Sequence, residues 1–370
     1  MGPRHCTRQW LPIETMQTAI KILREDNLGQ QFVAMDELGK INLLNGLKLE
    51  AQLDLPKERV WALGVSKEAA QGIFNPSCVA TEDGLRIIYR CEPSEATWRG
   101  YFMKDKGVPC VGTATIEDGR LVPEMPEPYY SGMPKACRPE DWRVFEHAGQ
   151  HYTNFTNYYY YNEGWPMKTP HCRTAVGRLG EDRIEFLKEM DGSRAGIKMG
   201  REEKNWVFFS EGGQLYCIYS LCPYRIAKVG KMWGLYDLEE RPDRLPRLGN
   251  RYIANSTNPI KVPLRPYGDV WLMFCHQFYT PYGKGTRNRT YYQHAVAICP
   301  ERLRPIAWTP YPVVGGGIDC DGRHNGVLYT SGLHYDKETE TLLLLSGEAD
   351  SNTVVQYLPM SKLEETIYEL

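Results

Sequence analysis

Six short segments set polar residues against apolar strands. Asn75-Pro76-Ser77 precedes one apolar run and Arg90-Cys91-Glu92 closes the next. Glu140-Asp141-Trp142-Arg143 enters Val144-Phe145, and Lys204-Asn205-Trp206 enters Val207-Phe208-Phe209. Trp271-Leu272-Met273-Phe274-Cys275-His276 ends in an imidazole and Ser346-Gly347-Glu348-Ala349-Asp350 in a carboxylate. Charged groups rarely sit beside such strands unless they are paired or functional. Carboxylates among Arg and Lys suit general acid catalysis and equally the binding of an anion or sugar phosphate. Each segment also has a plainer reading: Arg90 with Glu92, or Asp141 with Arg143, as structural ion pairs, and His276 as a satisfied core histidine. Singly the plainer reading is favoured. Recurring at equivalent turn-and-strand positions, the set favours one shared pocket.

Such a pocket needs strands that converge. A turn with Gly or Asp, followed by an alternating run of aromatic and β-branched residues, recurs about five times. It runs from Glu82-Asp83-Gly84 into Leu85–Arg90, from Ala148-Gly149 into Gln150–Tyr158, and from Gly212-Gly213 into Gln214–Ser220. Tyr267-Gly268-Asp269 leads into Val270–His276, and Asp336–Glu340 into Thr341–Ser346. A turn feeding a strand is a hairpin signal, and its repetition predicts a radial array of small antiparallel sheets. The turn glycines Gly84, Gly149, Gly213 and Gly268 are 65, 64 and 55 residues apart, and the last turn follows about 70 further on, a period that suits four-stranded blades. The expected fold is all-β, a five-bladed β-propeller with a short N-terminal helical extension. The blades are placed at 55–105, 106–165, 166–228, 229–300 and 301–360, so that 1–54 is the extension and 55–370 the propeller. Ile13, Met16, Ile20 and Leu23 have helical spacing within 11–30, and Met360–Leu370 reads as a short amphipathic helix capping the last blade.

Composition narrows the classes. With 370 residues, 42% hydrophobic and 24% charged, the chain is ordinary globular material with a core to bury. A net charge of −2 gives no general pull toward nucleic acid or anionic membrane. No run approaches the length of a membrane-spanning helix, and the start lacks a signal peptide's apolar stretch, so a soluble, cytoplasmic protein is expected. Eleven cysteines without CxxC pairs read as buried free thiols. No calcium loop or zinc spacing occurs, and neither metal nor organic cofactor is expected. Twenty-four Tyr and nine Trp, dense at Tyr158–Tyr161 and Tyr279–Tyr292, offer faces on which sugar rings stack, although blade packing accounts for any single one.

The same segments carry a family resemblance. From about Asn75 onward the chain resembles glycoside hydrolase family 130, five-bladed propellers that are mostly inverting phosphorylases of β-mannosides, and the related glycosyltransferase family 108 mannosyltransferase/phosphorylases. Glu140-Asp141-Trp142-Arg143 resembles the family's Glu-Asp-Pro-Arg, whose Asp is the general acid, which implies that role for Asp141. Lys204-Asn205-Trp206 is similar to a Lys-Asn-Trp that supplies a phosphate-binding Lys. Trp271 through His276 resembles Trp-Leu-Leu-x-Tyr-His-Gly, and Tyr329–Leu333 with Gly347–Asp350 resembles the closing Phe-Pro-x-Gly and Gly-Ala-Ala-Asp. With these roles the expected sites are substrate binding by Asn75, Arg90, Glu140, Arg143, His276 and Asp350, and phosphate binding by Lys204, Arg225, His276 and Tyr292. The chain departs from the pattern at Trp142, at Gln277, and at Ser220-Leu221-Cys222-Pro223-Tyr224-Arg225, where phosphorylases read Leu-His-Arg-Pro and only Arg225 stands in for the lost pair.

Three functions follow from these readings. The first is an inverting phosphorylase of β-mannoside-like oligosaccharides, with inorganic phosphate or a sugar phosphate as co-substrate. The second is a glycosyltransferase that extends an oligosaccharide from a sugar nucleotide such as GDP-mannose. The third is a non-catalytic propeller that binds glycans. The partners are accordingly an oligosaccharide with phosphate or a sugar nucleotide, without nucleic acid or membrane. A homo-oligomer is compatible with the sequence, and hydrolysis would require a second carboxylate to activate water.

Overall fold

The computed structural model describes residues 55, 57–59, 70–82, 84–93, 108–123, 127–128, 130–131, 138–162, 165–181, 183–241, 253–279, 290–310, 312–315 and 327–370. The expected helix over 11–30, and the extension it belongs to, lie outside these residues. Within them the strands form five sheets, antiparallel but for one short edge pairing.

Blade one contains Ala70–Thr81, Gly84–Pro93, Val108–Glu117 and Arg120–Pro123, with Glu127–Pro128 on its third strand. Blade two contains Arg138–His147, Gln150–Asn162, Trp165–Leu179 and Arg183–Glu189, with Tyr130–Ser131 alongside the last. Blade three contains Val207–Glu211, Gln214–Leu221, Tyr224–Val229 and Leu235–Arg241. In blade four the first strand is split into Ala254–Asn255 and Ile260–Leu264, both paired with Gly268–Tyr279. Thr290–Cys299, Arg304–Trp308 and Tyr368–Glu369 follow outward. Blade five contains Leu328–Asp336, Thr341–Glu348 and Asn352–Pro359, and its fourth strand is Lys57–Arg59 from the other end of the chain.

The repeated sequence motif is thereby located: each turn joins the first to the second strand of a blade. Ala148-Gly149 and Gly212-Gly213 both have positive φ at two successive residues, the geometry a tight hairpin needs. The expected blade boundaries are displaced, however. Lys57–Arg59 belongs to blade five rather than blade one, the third strand of blade two was assigned to blade three, and the tail contributes a strand to blade four after one helical turn, Met360–Glu364. Hairpin signals locate the first two strands of a blade well. The outer strands are short, exposed and joined by loops, and they leave little periodicity to read.

The inner strands touch in a closed order, first strand to first strand between blades one and two, two and three, four and five, and five and one, while Gln214–Leu221 of blade three meets Ala254–Asn255 of blade four. The buried apolar residues divide into five clusters, one in each seam between neighbouring blades. Alternation sorts them. In blade three Trp206 and Phe208 face blade two while Val207 and Phe209 face blade four, and in blade five Leu343 and Leu345 face blade one while Leu342 and Leu344 face blade four. Both faces of these strands are covered, which is why runs such as Val207-Phe208-Phe209 are continuously apolar rather than alternating. Each such buried side chain contributes about 1.5–3 kcal/mol.

Candidate functional site

In an antiparallel hairpin the start of the first strand lies beside the end of the second. All the candidate residues but Arg225 and Tyr292 occupy these two positions. Asn75, Asp141 and Lys204 lie at or just before the first strands of blades one, two and three, while Arg90, His276 and Asp350 lie at or beyond the ends of the second strands of blades one, four and five. Both positions open on the same end of the ring, opposite the hairpin turns. The equivalence expected from sequence is therefore corrected: two interleaved kinds of position converge on one mouth.

The first strands are distorted there. Asn75, Asp141 and Asn205 all have positive φ, at 51, 56 and 62°. The ladder register breaks between Phe74 and Ser77 and again between Glu140 and Arg143. Asn and Asp tolerate the left-handed conformation better than other side-chain-bearing residues, and a bulge re-aims the side chain it carries. The result is a turned-in Asp141. Its Oδ1 accepts a hydrogen bond from Asn75 Nδ2 at 2.8 Å and lies 3.9 Å from Arg90 Nη1, and the side chain keeps 22% exposure. Arg90 is shared, since its Nη2 is 3.0 Å from Glu140 Oε1, and its guanidinium lies over the Phe74 ring at 5.0 Å. Arg90 thus pairs across the seam, with Glu140 and Asp141. Asn75, 3% exposed, is in turn pressed against blade five, where a side chain on Gly347 would collide with it. Asp350, at φ 52°, is in the turn that follows the strand carrying Gly347, whose Ser351 carbonyl accepts a bond from the Ile73 N–H at 3.1 Å.

Arg143 is 1% exposed and ties the blades together. It donates to the carbonyls of Ser256 and Asp141, to Asn205 Oδ1 at 3.0 Å and to the Tyr329 hydroxyl. These four contacts occupy most of the five N–H donors that a guanidinium has. Arg143 thus holds the mouth together and has little left to offer a ligand. Trp142, which replaces the family's Pro, is a core residue, its ring 4.3 Å from Phe155 in the seam between blades one and two. Lys204 is more open, with 36% side-chain exposure, its Nζ 3.4 Å from the Tyr158 hydroxyl and 3.9 Å from Glu202.

His276 is 5% exposed and packs against the rings of Tyr291 and Tyr329, each centred 5.2 Å away and 6.2 Å from one another. Its Nδ1 lies 2.8 Å from Ser256 Oγ. Burial, with the nearby charges of Arg143 and Lys204, lowers its pKa to about 3, so the ring is neutral at physiological pH. Asp141, Lys204 and His276, well separated in sequence, are therefore joined: Arg143 touches Asp141, Asn205 beside Lys204, and Tyr329 against His276.

Two assigned residues stand apart. Arg225 Nε is 2.7 Å from Glu240 Oε2 on the outermost strand of blade three, so the arginine expected to replace the lost pair is committed elsewhere. Tyr292 pairs with Gln277 in the ladder and so faces away from His276, buried against Gly315. Its neighbour Tyr291 occupies the His276 face. Ser256 and Gln293 are contributors that sequence reasoning missed, since hydroxyl and amide side chains carry no distinctive spacing, while Tyr291, Tyr329 and Asn205 lie in segments the sequence singled out but received no role there. Among the described residues no group of three or more His, Cys, Asp or Glu could hold a metal ion, and no helix is long and apolar enough to cross a membrane.

No family model matches the chain. Among curated proteins, a stretch of 101 residues is 32% identical to a homoserine O-acetyltransferase of Desulfovibrio desulfuricans. That stretch is 27% of this chain, and the chain spans 30% of that protein's length. Solved structures match far more of the fold. A β-1,2-mannobiose phosphorylase from Listeria innocua superposes with a TM-score of 0.58 at 14% identity, over 85% of this chain and 99% of that one. The chain has the same propeller fold. A structure of glycoside hydrolase family 130, concerned with hydrolases that target β-1,2 mannosidic linkages in Candida mannan, gives 0.55 at 15% identity over 84% and 96%. A GDP-Man-dependent mannosyltransferase from Leishmania mexicana gives 0.54 at 10% identity over 83% and 91%. These neighbours match the two families whose motifs the sequence resembles, and at such identities the likeness is one of fold.

Proposed function

We propose that this protein is a carbohydrate-active enzyme that transfers glycosyl groups with inversion, acting on β-mannoside-like oligosaccharides with phosphate as co-substrate and Asp141 as general acid. The carrying observation is the placement of Asp141: a carboxylate turned into the mouth by a bulge, held by the Asn75 amide at 2.8 Å and flanked by Arg90. A phosphorylase needs one acid, because phosphate is already a nucleophile, whereas an inverting hydrolase needs a second carboxylate to activate water. Glu140, the nearest candidate in sequence, is tied to Arg90 at 3.0 Å. In this reading Asp141 passes its proton toward the glycosidic oxygen while phosphate attacks from the opposite face of the sugar, with Lys204 countering its charge.

One observation favours a second reading, transfer from a sugar nucleotide. Arg143 and Arg225 are engaged elsewhere and His276 is uncharged, so a free phosphate would rest chiefly on Lys204. Incubating the purified protein with mannose or β-mannobiose and either mannose 1-phosphate or GDP-mannose separates the two. Release of phosphate identifies the phosphorylase and release of GDP the transferase. Glycan binding without turnover of either donor would leave a binding propeller and remove Asp141 from catalysis.

A further inference from the structure

The hydrogen bonds behind His276 have a direction. Gln293 Nε2 donates to the Leu328 carbonyl at 2.8 Å, which fixes its amide with Oε1 toward Ser256. Ser256 Oγ donates its one proton to that oxygen at 3.0 Å. The 2.8 Å contact between Ser256 Oγ and His276 Nδ1 must then be filled by a proton on the imidazole. A neutral ring with its proton on Nδ1 has a bare lone pair on Nε2. Among the described residues nothing donates to Nε2. The ring packs against Tyr291, tilted, and against Tyr329, at a near right angle, and the charged groups near it, Arg143 and Lys204, are both cations that oppose protonation.

We propose that His276 is a hydrogen-bond acceptor for a hydroxyl of the sugar, locked in its Nδ1–H tautomer by the Ser256–Gln293–Leu328 relay, and that it is not a cationic ligand of phosphate. This rests on the glycosyl-transfer reading above and divides the mouth into two parts. Lys204 is the anion side. His276, with Tyr291 and Tyr329 beside it, is the sugar side, and its lone pair selects a ring with a hydroxyl at that position over one that lacks it, because a buried acceptor left unpaired is costly.

Two measurements on the full chain test this. In long-range proton–nitrogen spectra at pH 7, His276 is expected to show a protonated Nδ1 and a bare Nε2, and Ser256→Ala is expected to release the ring into a mixture of tautomers. A proton on Nε2, or a doubly protonated ring, overturns the proposal. In calorimetric titrations with mannose and with inorganic phosphate, His276→Ala is expected to weaken mannose at least tenfold and leave phosphate within twofold. Lys204→Ala is expected to do the reverse, and His276→Gln, which can carry an oxygen near the Nε2 position, to recover part of the mannose affinity. A tenfold loss of phosphate in His276→Ala with mannose unchanged overturns this inference while leaving glycosyl transfer standing. Wild-type protein that binds neither ligand overturns both, whatever tautomer the spectra report.

Discussion

Replacing Asp141 by Asn separates its chemistry from its conformation. Asn tolerates the φ of 56° that Asp141 adopts, and its amide oxygen accepts the bond from Asn75 that now measures 2.8 Å. What is lost is the charge 3.9 Å from Arg90, on a side chain with 22% exposure. Unscreened, that attraction is worth roughly 1 kcal/mol in water and 4 kcal/mol at an effective dielectric constant of 20. Arg90 keeps Glu140, and partial exposure screens the pair, so the net loss of stability should be about 1 kcal/mol or less. Loss of a general acid costs about 10²–10⁴ in rate. Asp141→Ala adds the left-handed penalty of roughly 1–2 kcal/mol. The expected pattern is a shared collapse of kcat in both variants, with the denaturation midpoint nearly unchanged in Asn and visibly lower in Ala. Steady-state phosphorolysis of β-mannobiose and urea denaturation read the two axes. Turnover of Asp141→Asn within a few fold of wild type would refute the acid assignment, and equal stability of the two variants would refute the account of the bulge.

Four further outcomes are expected. Lys204→Ala should raise the KM for phosphate by about 10- to 150-fold, the equivalent of one charge-assisted contact of about 1.5–3 kcal/mol, while the KM for the glycoside stays within about twofold; equal rises in both would place Lys204 elsewhere. Gly347→Ala should act at a distance, because a Cβ there would collide with Asn75, including its backbone nitrogen at 2.8 Å. The cost is about 1–3 kcal/mol of overpacking together with a fall in kcat as Asn75 shifts from Asp141, and a stability loss with normal kcat would break that coupling. Arg143→Lys should lower stability by about 3 kcal/mol, since a point charge cannot reach Ser256, Asn205 and Tyr329 together, and an unchanged urea midpoint would contradict its role as the hub. Finally, the pKa of His276 is depressed to about 3, so below its ordinary value of 6.5 the unfolded chain takes up a proton that the native state refuses. Native stability is therefore unaffected above pH 6.5 and falls with acidification by up to about 1.4 kcal/mol per pH unit from this group. Comparison with His276→Gln between pH 6.5 and 5, above most carboxylates, should show wild type losing more; parallel curves would mean a solvated ring.

The hairpins were legible because two neighbouring strands with a tight turn leave a local record: Ala148-Gly149 and Gly212-Gly213 announce their own geometry. The outer strands were not, since Lys57–Arg59 joins blade five through residues nearly the whole chain away, and nothing local marks such a partner. At the site, Asp141, Asn75 and Lys204 stood out as polar residues against apolar strands. Arg143 stood out too, but its donors were expected to face a ligand, and only the fold shows Ser256, Asn205 and Tyr329 waiting for them. Tyr292 was chosen over Tyr291 from a cluster that spacing cannot orient. One residue of register decides which tyrosine meets His276.

The strand pairing Lys57 with Gln356 also sets how the molecule must assemble. Four sheets are continuous stretches of chain or nearly so, and each can condense soon after it is made. The fifth stays one strand short until residues almost three hundred positions apart meet, a closure whose entropic cost precedes any reward. The ring is thus sealed late and at one place. A peptide copying the segment around Lys57–Arg59, added in excess during refolding, would compete for the exposed edge of Asn352–Pro359 and trap an open ring, whereas added to the finished protein it would find that edge occupied.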